Sequence, residues 1–486
     1  MKNPTTFSAH STKFLTHFTP LYWIAVFAAF FLLSRNWEIV RPTSTSWEHL
    51  FGLFGFCVFC PILYTAYADY RSIPAPSARA LMMIGIPILV CLFMLVNVAE
   101  HSQKSWDYEQ YETAFRSVVA GDNPYRSTRY LYPPFFAETM VTVYRAGTWF
   151  LPAIGIRPEG PDLWKFVFYI HQSGMLYAIL LAYYLSLRFA EMAGVTPSKG
   201  MLFVSGLFLF NTPLLRTVIY NQVNFYILVS ILIAVLALAR RPFLSGLAIA
   251  VGGLIKLYPF ALIAPLFATG KWRALIGAAI GSVGVIAVQT NAFRDLLLWK
   301  QFGRFYLSFP VERESAWFRN SSILSFLRNS LDFAGAPPEL LMPVFGIIVL
   351  IILGWIALRF ARREKLYAQS LEAGSVLPAG NESYRNIGHL TDFSVLSLLI
   401  APSAWEHHYV IAMPLAIWAF ALASRRDPGR LMIALVLVFA MPVFNVFPFS
   451  YLRTAGLILL LVLTSPNRTY HERIASRHDH TQSPGI

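Results

Sequence analysis

Side chains able to take a proton or hold an anion gather between positions 100 and 134, EHSQKSWDYEQYETAFRSVVAGDNPYRSTRYLYPP. Asp107, Glu109, Glu112 and Asp122 can accept protons, Lys104, Arg116, Arg126 and Arg129 can balance them, and five tyrosines offer flat faces that end in a hydroxyl. Asp107 stands at the head of a plausible helix, DYEQYETAFRSVVAG, with Gln110 three residues on and Gly121 at its end. Two readings of Asp107 follow: the N-cap of that helix, or a carboxylate left free to take a proton. Glu109 and Glu112 suit the positive end of a helix in any case. Gly121-Asp122-Asn123-Pro124-Tyr125 and Tyr130-Leu131-Tyr132-Pro133-Pro134 read as a turn and the entry to a further helix. Turn chemistry explains their glycine and prolines but not their tyrosines.

Four more clusters lie beyond this stretch. Asn221-Gln222-Val223-Asn224 sits at the end of an apolar run. In Lys256-Leu257-Tyr258-Pro259, a lysine falls between two short apolar halves. A cation there either snorkels to the interface or holds an anion, and a phosphate suits an amine beside helix ends. Asn320-Ser321-Ser322 forms a small polar knot, and Pro402-Ser403-Ala404-Trp405-Glu406-His407-His408-Tyr409 interrupts another apolar run. Adjacent histidines diverge by about 100° on a helix, so they do not share a metal as an i, i+4 pair does. One of them hydrogen-bonded to an anionic group is the better expectation, and neither a metal nor a cofactor is expected.

The elements that must position these residues are membrane helices. Of 486 residues, 56% are hydrophobic and 13% charged, against about 25% charged in a soluble domain. Apolar runs recur near 21–33, 50–68, 80–98, 163–188, 201–217, 224–239, 243–255, 258–269, 274–290, 340–359, 390–402, 409–423, 431–446 and 451–464. An all-α polytopic membrane protein with about 12–14 spans follows. Several runs are too short to cross alone, so those broken at Lys256–Pro259 and Pro402–His408 read as broken or re-entrant helices, tolerated where they line a cavity. The first run, near 21–33, reads as a retained span rather than a leader, since no small-residue cleavage site follows it.

The expected division is 1–98, N-terminal helices; 99–162, a first long outer loop carrying the candidate acid; 163–290, a helical core; 291–338, a second outer loop with an interfacial helix; 339–464, C-terminal helices; and 465–486, a cytoplasmic tail. Within it, 360–388 reads as a flexible cytoplasmic linker. Lysine and arginine concentrate in alternate short loops, which the positive-inside rule places in the cytoplasm, with both long loops facing the periplasm or exterior of a cell inner membrane. The net charge of +14 is spread between apolar runs rather than gathered on one soluble face, which fits anionic lipid and excludes nucleic acid. Cys57, Cys60 and Cys91 all fall in apolar runs and read as packing residues.

The ordered set of an Asp in the first outer loop, G-D-N-P-Y with Y-P-P, N-Q-V-N, K-L-Y-P, N-S-S and S-A-W-E-H-H resembles glycosyltransferase family 87 of the GT-C superfamily, over roughly residues 100–420. The resemblance implies a GT-C-like helical bundle and a polyprenyl-phosphate sugar donor, usually the mannose form. It also implies inverting transfer to a lipid or glycan acceptor on the outer face. By that resemblance Asp107 is the general base, and Lys256, His407 and His408 lie near the donor phosphate. Tyr258 and Arg129 join them as phosphate candidates. Tyr108, Tyr125, Tyr132, Asn221, Gln222, Asn224, Asn320, Trp405 and Glu406 are the candidate substrate contacts. The chain departs from the superfamily pattern in placing three apolar runs before the Asp loop, where such enzymes usually have one. A transporter or flippase of lipid-linked sugars is the competing class. It calls for inverted repeats and polar residues along the cytoplasmic halves of the spans, and the sequence displays neither. A non-catalytic envelope scaffold would need neither Lys256 nor an outer acid.

Overall fold

Within the described residues the apolar runs become helices almost one for one. The computed structural model describes residues 104–466, with breaks at 128–129, 157–159, 210, 309–319, 373–377, 425 and 442–446. The three expected spans before residue 99, the three cysteines, Arg129 and the tail beyond 466 lie outside the described residues. The described residues are mainly helical, with no strand among them; Asn320 and Trp405 form an isolated antiparallel bridge. In order the helices are α1 (Trp106–Ala120), α2 (Pro124–Ser127), α3 (Pro134–Ala153), α4 (Gly160–Met192), α5 (Pro197–Leu209), α6 (Thr212–Ile219), α7 (Asn224–Ala237) and α8 (Pro242–Ile255). A 3₁₀ turn (Tyr258–Leu262) leads into α9 (Ile263–Ala268), then α10 (Trp272–Gln289), α11 (Leu297–Leu307), α12 (Ile323–Phe333), α13 (Leu341–Glu372) and α14 (Pro378–Ile400). A second 3₁₀ helix (Glu406–Ala412) precedes α15 (Met413–Ala423), α16 (Pro428–Leu435) and α17 (Leu452–Leu463).

Three of these stretches are long and apolar enough to cross a bilayer, Gly160–Met192, Trp272–Gln289 and Pro338–Glu372; a fourth joins them if Lys199–Leu209 and Thr212–Ile219, bent by 51°, count as one. The run read as 201–217 breaks because Asn211 caps α6, its side chain accepting from the Leu214 amide. Outward-facing apolar side chains mark the lipid-facing surface, as on α13, where Ile347, Leu350, Ile351 and Leu358 are all exposed.

The stretch 360–388 is not a flexible linker. α13 continues to Glu372 and α14 begins at Pro378, so the expectation fails over most of its length. Its polar composition is spent on pairing between the two helices. Arg359 is bidentate to Asp392 at 2.9 and 2.8 Å, Arg363 reaches the same carboxylate at 3.0 Å, and Arg385 is bidentate to Glu364. Arg359, Arg363 and Asp392 are fully buried, where charges persist only when paired.

The centre of the fold is the antiparallel hairpin of α7 and α8, packed on α10. Small residues let the backbones close in: a Cβ on Gly246 would lie 1.9 Å from the Ala274 carbonyl oxygen, and one on Gly277 would lie 2.2 Å from that of Phe243. Because the hairpin is antiparallel, the start of α7 at Asn224 and the residue after α8, Lys256, meet at the same end.

Candidate active site

The site is assembled where α1, the turn before α7 and the end of α8 converge. α1 begins at Trp106 because Ser105 caps it. Ser105 has extended backbone (φ −68°, ψ 157°), and its hydroxyl accepts from the Tyr108 amide at 3.2 Å. The same hydroxyl donates to the Tyr220 carbonyl at 2.8 Å, tying the head of the helix to the turn before α7. Asp107 is therefore a first-turn residue and not the cap, and the capping reading of its side chain is set aside. Gly121 closes the helix as the spacing predicts, at φ 80°, donating to the carbonyls of Ser117 and Val118.

Freed from capping, the Asp107 carboxyl turns to the 220–224 turn. Its Oδ2 accepts from Gln222 Nε2 at 2.6 Å. Gln222 Oε1 in turn accepts from the hydroxyls of Tyr111 at 2.7 Å and Tyr132 at 3.0 Å. Burial among these rings pushes the carboxyl up to about 6, opposed by the Gln222 hydrogen bond and by the positive charge of Lys256. Asp107 keeps part of its surface open, whereas Gln222 and Tyr111 are buried.

Lys256 is buried, at the break where the backbone turns extended after α8. It does not snorkel. Its ammonium donates to Asn224 Oδ1 at 3.0 Å and lies 5.2 and 5.1 Å from the ring centres of Tyr132 and Tyr258. Asn224 Nδ2 donates to the His407 carbonyl at 2.9 Å, and the Tyr258 hydroxyl lies 3.1 Å from His408 Nδ1. The two histidine rings sit 4.5 Å apart at 87° to each other, diverging as expected.

Asp107, Tyr132, Gln222, Asn224, Lys256, Tyr258, His407 and His408 thus form one connected array. The other candidates stand around it. Tyr108 points inward, stacked on His171 with centroids 5.5 Å apart and edge-on to Phe115 and Phe168. Tyr125 packs on Phe302 and Phe305, and its hydroxyl donates to the Tyr132 carbonyl at 3.0 Å. Asn221 occupies the left-handed region (φ 53°), which asparagine tolerates, and its carbonyl accepts from His171 Nε2 at 2.8 Å. Asn320 is a latch: it donates to the Pro402 carbonyl and accepts from the amides of Ala404 and Ser322, while its backbone bridges Trp405. Glu406 is buried between Arg453, which donates to it directly, and Arg216 at 3.4 Å. Among the other loop acids, Glu112 pairs with Lys104 and Arg116, and Glu109 and Asp122 face outward.

Residue-type reasoning passed over Ser105, Tyr111, Arg216 and Arg453. Tyr111 was findable, since it stands four residues after Asp107 and so shares its helix face. Arg216 and Arg453 each fall inside an apolar run, where a charge is costly and so calls for a partner.

The family model of glycosyltransferase family 87 matches residues 130–379, just over half of the chain. The chain belongs to glycosyltransferase family 87. The match takes in Tyr132, the 221–224 turn, Lys256 and Asn320; Asp107 precedes it, and the 405–408 segment follows it. A curated relative is similar over 228 residues at 27% identity: the polyprenol-phosphate-mannose-dependent alpha-(1-2)-phosphatidylinositol pentamannoside mannosyltransferase of Mycobacterium tuberculosis (strain CDC 1551 / Oshkosh). The similarity covers 45% of this chain and spans 44% of that relative's length.

Proposed function

We propose that this family 87 member is a membrane glycosyltransferase that moves a hexose, mannose first among them, from a polyprenyl-phosphate donor to a lipid or glycan acceptor. The observation that carries the reading is the Asp107 carboxyl. Ser105 relieves it of capping, it remains partly open, and the buried ammonium of Lys256 acts on it. A proton acceptor and a cation set in one array are what sugar transfer from a phosphate requires. The acceptor hydroxyl attacks the anomeric carbon and gives its proton to Asp107. The bond from that carbon to the phosphate oxygen breaks, and the polyprenyl phosphate leaves with the electron pair. One base and no covalent intermediate give inversion. Lys256, backed by Tyr258 and the His407–His408 pair, offsets the charge that develops on the leaving phosphate. The activity named for the relative supports mannose and the polyprenyl carrier as the first donor to try. In this reading the site faces the periplasm or exterior of the inner membrane, and membrane lipid surrounds the bundle.

The test is purified protein incubated with polyprenyl-phosphomannose and a panel of lipid and glycan acceptors, read by mass spectrometry. Acceptor mass rising by one hexose, with release of polyprenyl phosphate, is expected. Donor carried across vesicles with no product would overturn the reading in favour of a flippase.

A further inference from the structure

Gln222 is buried, and both ends of its amide are used within the protein. An ionised carboxylate only accepts hydrogen bonds, so the nitrogen of the amide must face Asp107 and its oxygen must accept from elsewhere. Two phenols supply those donors, and their own hydroxyl oxygens lie 2.9 Å apart. The backbone beneath Gln222 is fixed as well. Its amide donates to the Thr217 carbonyl at 2.9 Å, and His171 holds the preceding carbonyl. Ser105 ties the residue before that to the head of α1. Asp107 and Gln222 are therefore registered twice, once through side chains and once through the Ser105–Tyr220 link. The neighbouring amide repeats the device. The Lys256 ammonium only donates and the His407 carbonyl only accepts, which leaves Asn224 one orientation.

We propose that Gln222 is a positioning residue. Its amide, clamped by the hydroxyls of Tyr111 and Tyr132, holds the Asp107 carboxylate in the orientation and charge state from which it takes the acceptor proton. The proposal rests on the reading of Asp107 as the base. It moves Gln222 from the substrate contacts to the scaffold of the acid. The titratable groups that face this carboxyl are Lys256 at the end of α8, Tyr132 before α3 and Tyr111 on α1 itself. Gln222 is the neutral group among them, so its replacement by an apolar residue changes a hydrogen bond without changing a charge.

The experiment titrates Asp107 directly and then measures transfer. In [13C]aspartate-labelled protein, the Asp107 carboxyl is followed against pH by isotope-edited infrared difference spectroscopy and assigned by its loss in Asp107→Asn. The wild-type midpoint is expected at about 6. Gln222→Leu should raise it, because the bond it removes favours the charged form. Gln222→Glu should raise it further, as two adjacent carboxyls share a proton. Tyr111→Phe combined with Tyr132→Phe keeps the Gln222 amide and the ring volumes, and should move the midpoint the same way by less. That double variant carries the test if Gln222→Leu does not fold. With the polyprenyl-phosphomannose donor, Gln222→Leu should lose about 10²-fold in kcat, the cost of a misplaced reacting group, with donor KM near wild type. A midpoint unmoved in every variant, or a moved midpoint with kcat unchanged, overturns the proposal. Full activity in Asp107→Asn would instead remove the general-base reading itself, a separate outcome that the same preparations report.

Discussion

Ser105 and Asp107, two residues apart at the head of α1, divide between them the roles that one residue could have held. The serine hydroxyl caps the helix and anchors the turn before α7, and the aspartate is left to Gln222 and Lys256. The division makes the two roles separable by mutation.

Asp107→Asn and Asp107→Ala should both abolish transfer, since loss of a general base typically costs ~10²–10⁴-fold. Asp107→Asn, which keeps an acceptor oxygen for the buried Gln222 amide, should not lower thermal stability at neutral pH. The folded-state value of about 6 lies above the ordinary carboxyl value of 3.8. This group's contribution to stability is therefore fully present below 3.8 and lost as pH rises through 6. Ser105→Ala should show the opposite pattern, costing about 1 kcal/mol of stability. Thermal unfolding in detergent, run beside the transfer assay, checks both.

Transfer should also depend on pH. The base must be ionised, so kcat/KM should fall as pH drops through about 6. The positive charge of Lys256 holds that value down, so Lys256→Met should move the acid limb upward. A limb that stays in place in Lys256→Met would separate the two groups electrostatically. A pH series of initial rates decides it.

Donor binding should weaken in the same Lys256 variant. A hydrogen bond to a charged group contributes ~1.5–3 kcal/mol, which corresponds to roughly 10- to 100-fold in Kd. His408→Ala should have the smaller effect, because His408 reaches the array through the Tyr258 hydroxyl. Binding of polyprenyl-phosphomannose in nanodiscs measures the difference, and unchanged affinity in both variants would remove the phosphate role.

Glu406 should prove structural before anything else. It joins Arg216 and Arg453 in a buried cluster, so Glu406→Gln weakens the pairing of two arginines at once. Breaking a buried pair by removing one partner costs about 3–5 kcal/mol. The loss should appear in unfolding experiments with no substrate present. A Glu406→Gln protein of wild-type stability but poor acceptor KM would restore a substrate role.

For topology, cysteine at Glu109 in a cysteine-free background should react with an impermeant maleimide in intact cells, and cysteine at Arg241 only after permeabilisation. Both positions are exposed. Tyr108, beside Glu109, is fully buried and cannot report. Labelling at 241 alone would invert the proposed orientation.

Local chemistry was enough to place most of the helices, though not the far end of α13 or the start of α14. Apolar runs placed α4, α7, α8, α10 and α13, and Gly121 marked the end of α1, because burial in lipid and left-handed closure depend on residue type over short windows. The breaks after Ile255 and before Glu406 were legible for the same reason. Which polar groups meet was not, because Gln222 lies 115 positions from Asp107 and Asn224 lies 183 from the carbonyl of His407. Only the packing of α1 against the turn before α7 decided that Ser105 caps and Asp107 does not. Only the antiparallel α7–α8 hairpin brought Lys256 to Asn224. Arg359, Arg363 and Asp392 show the same limit in reverse. Arg363 falls in the stretch read as a linker and Arg359 and Asp392 at the ends of apolar runs, and only the pairing of α13 with α14 buries the three together.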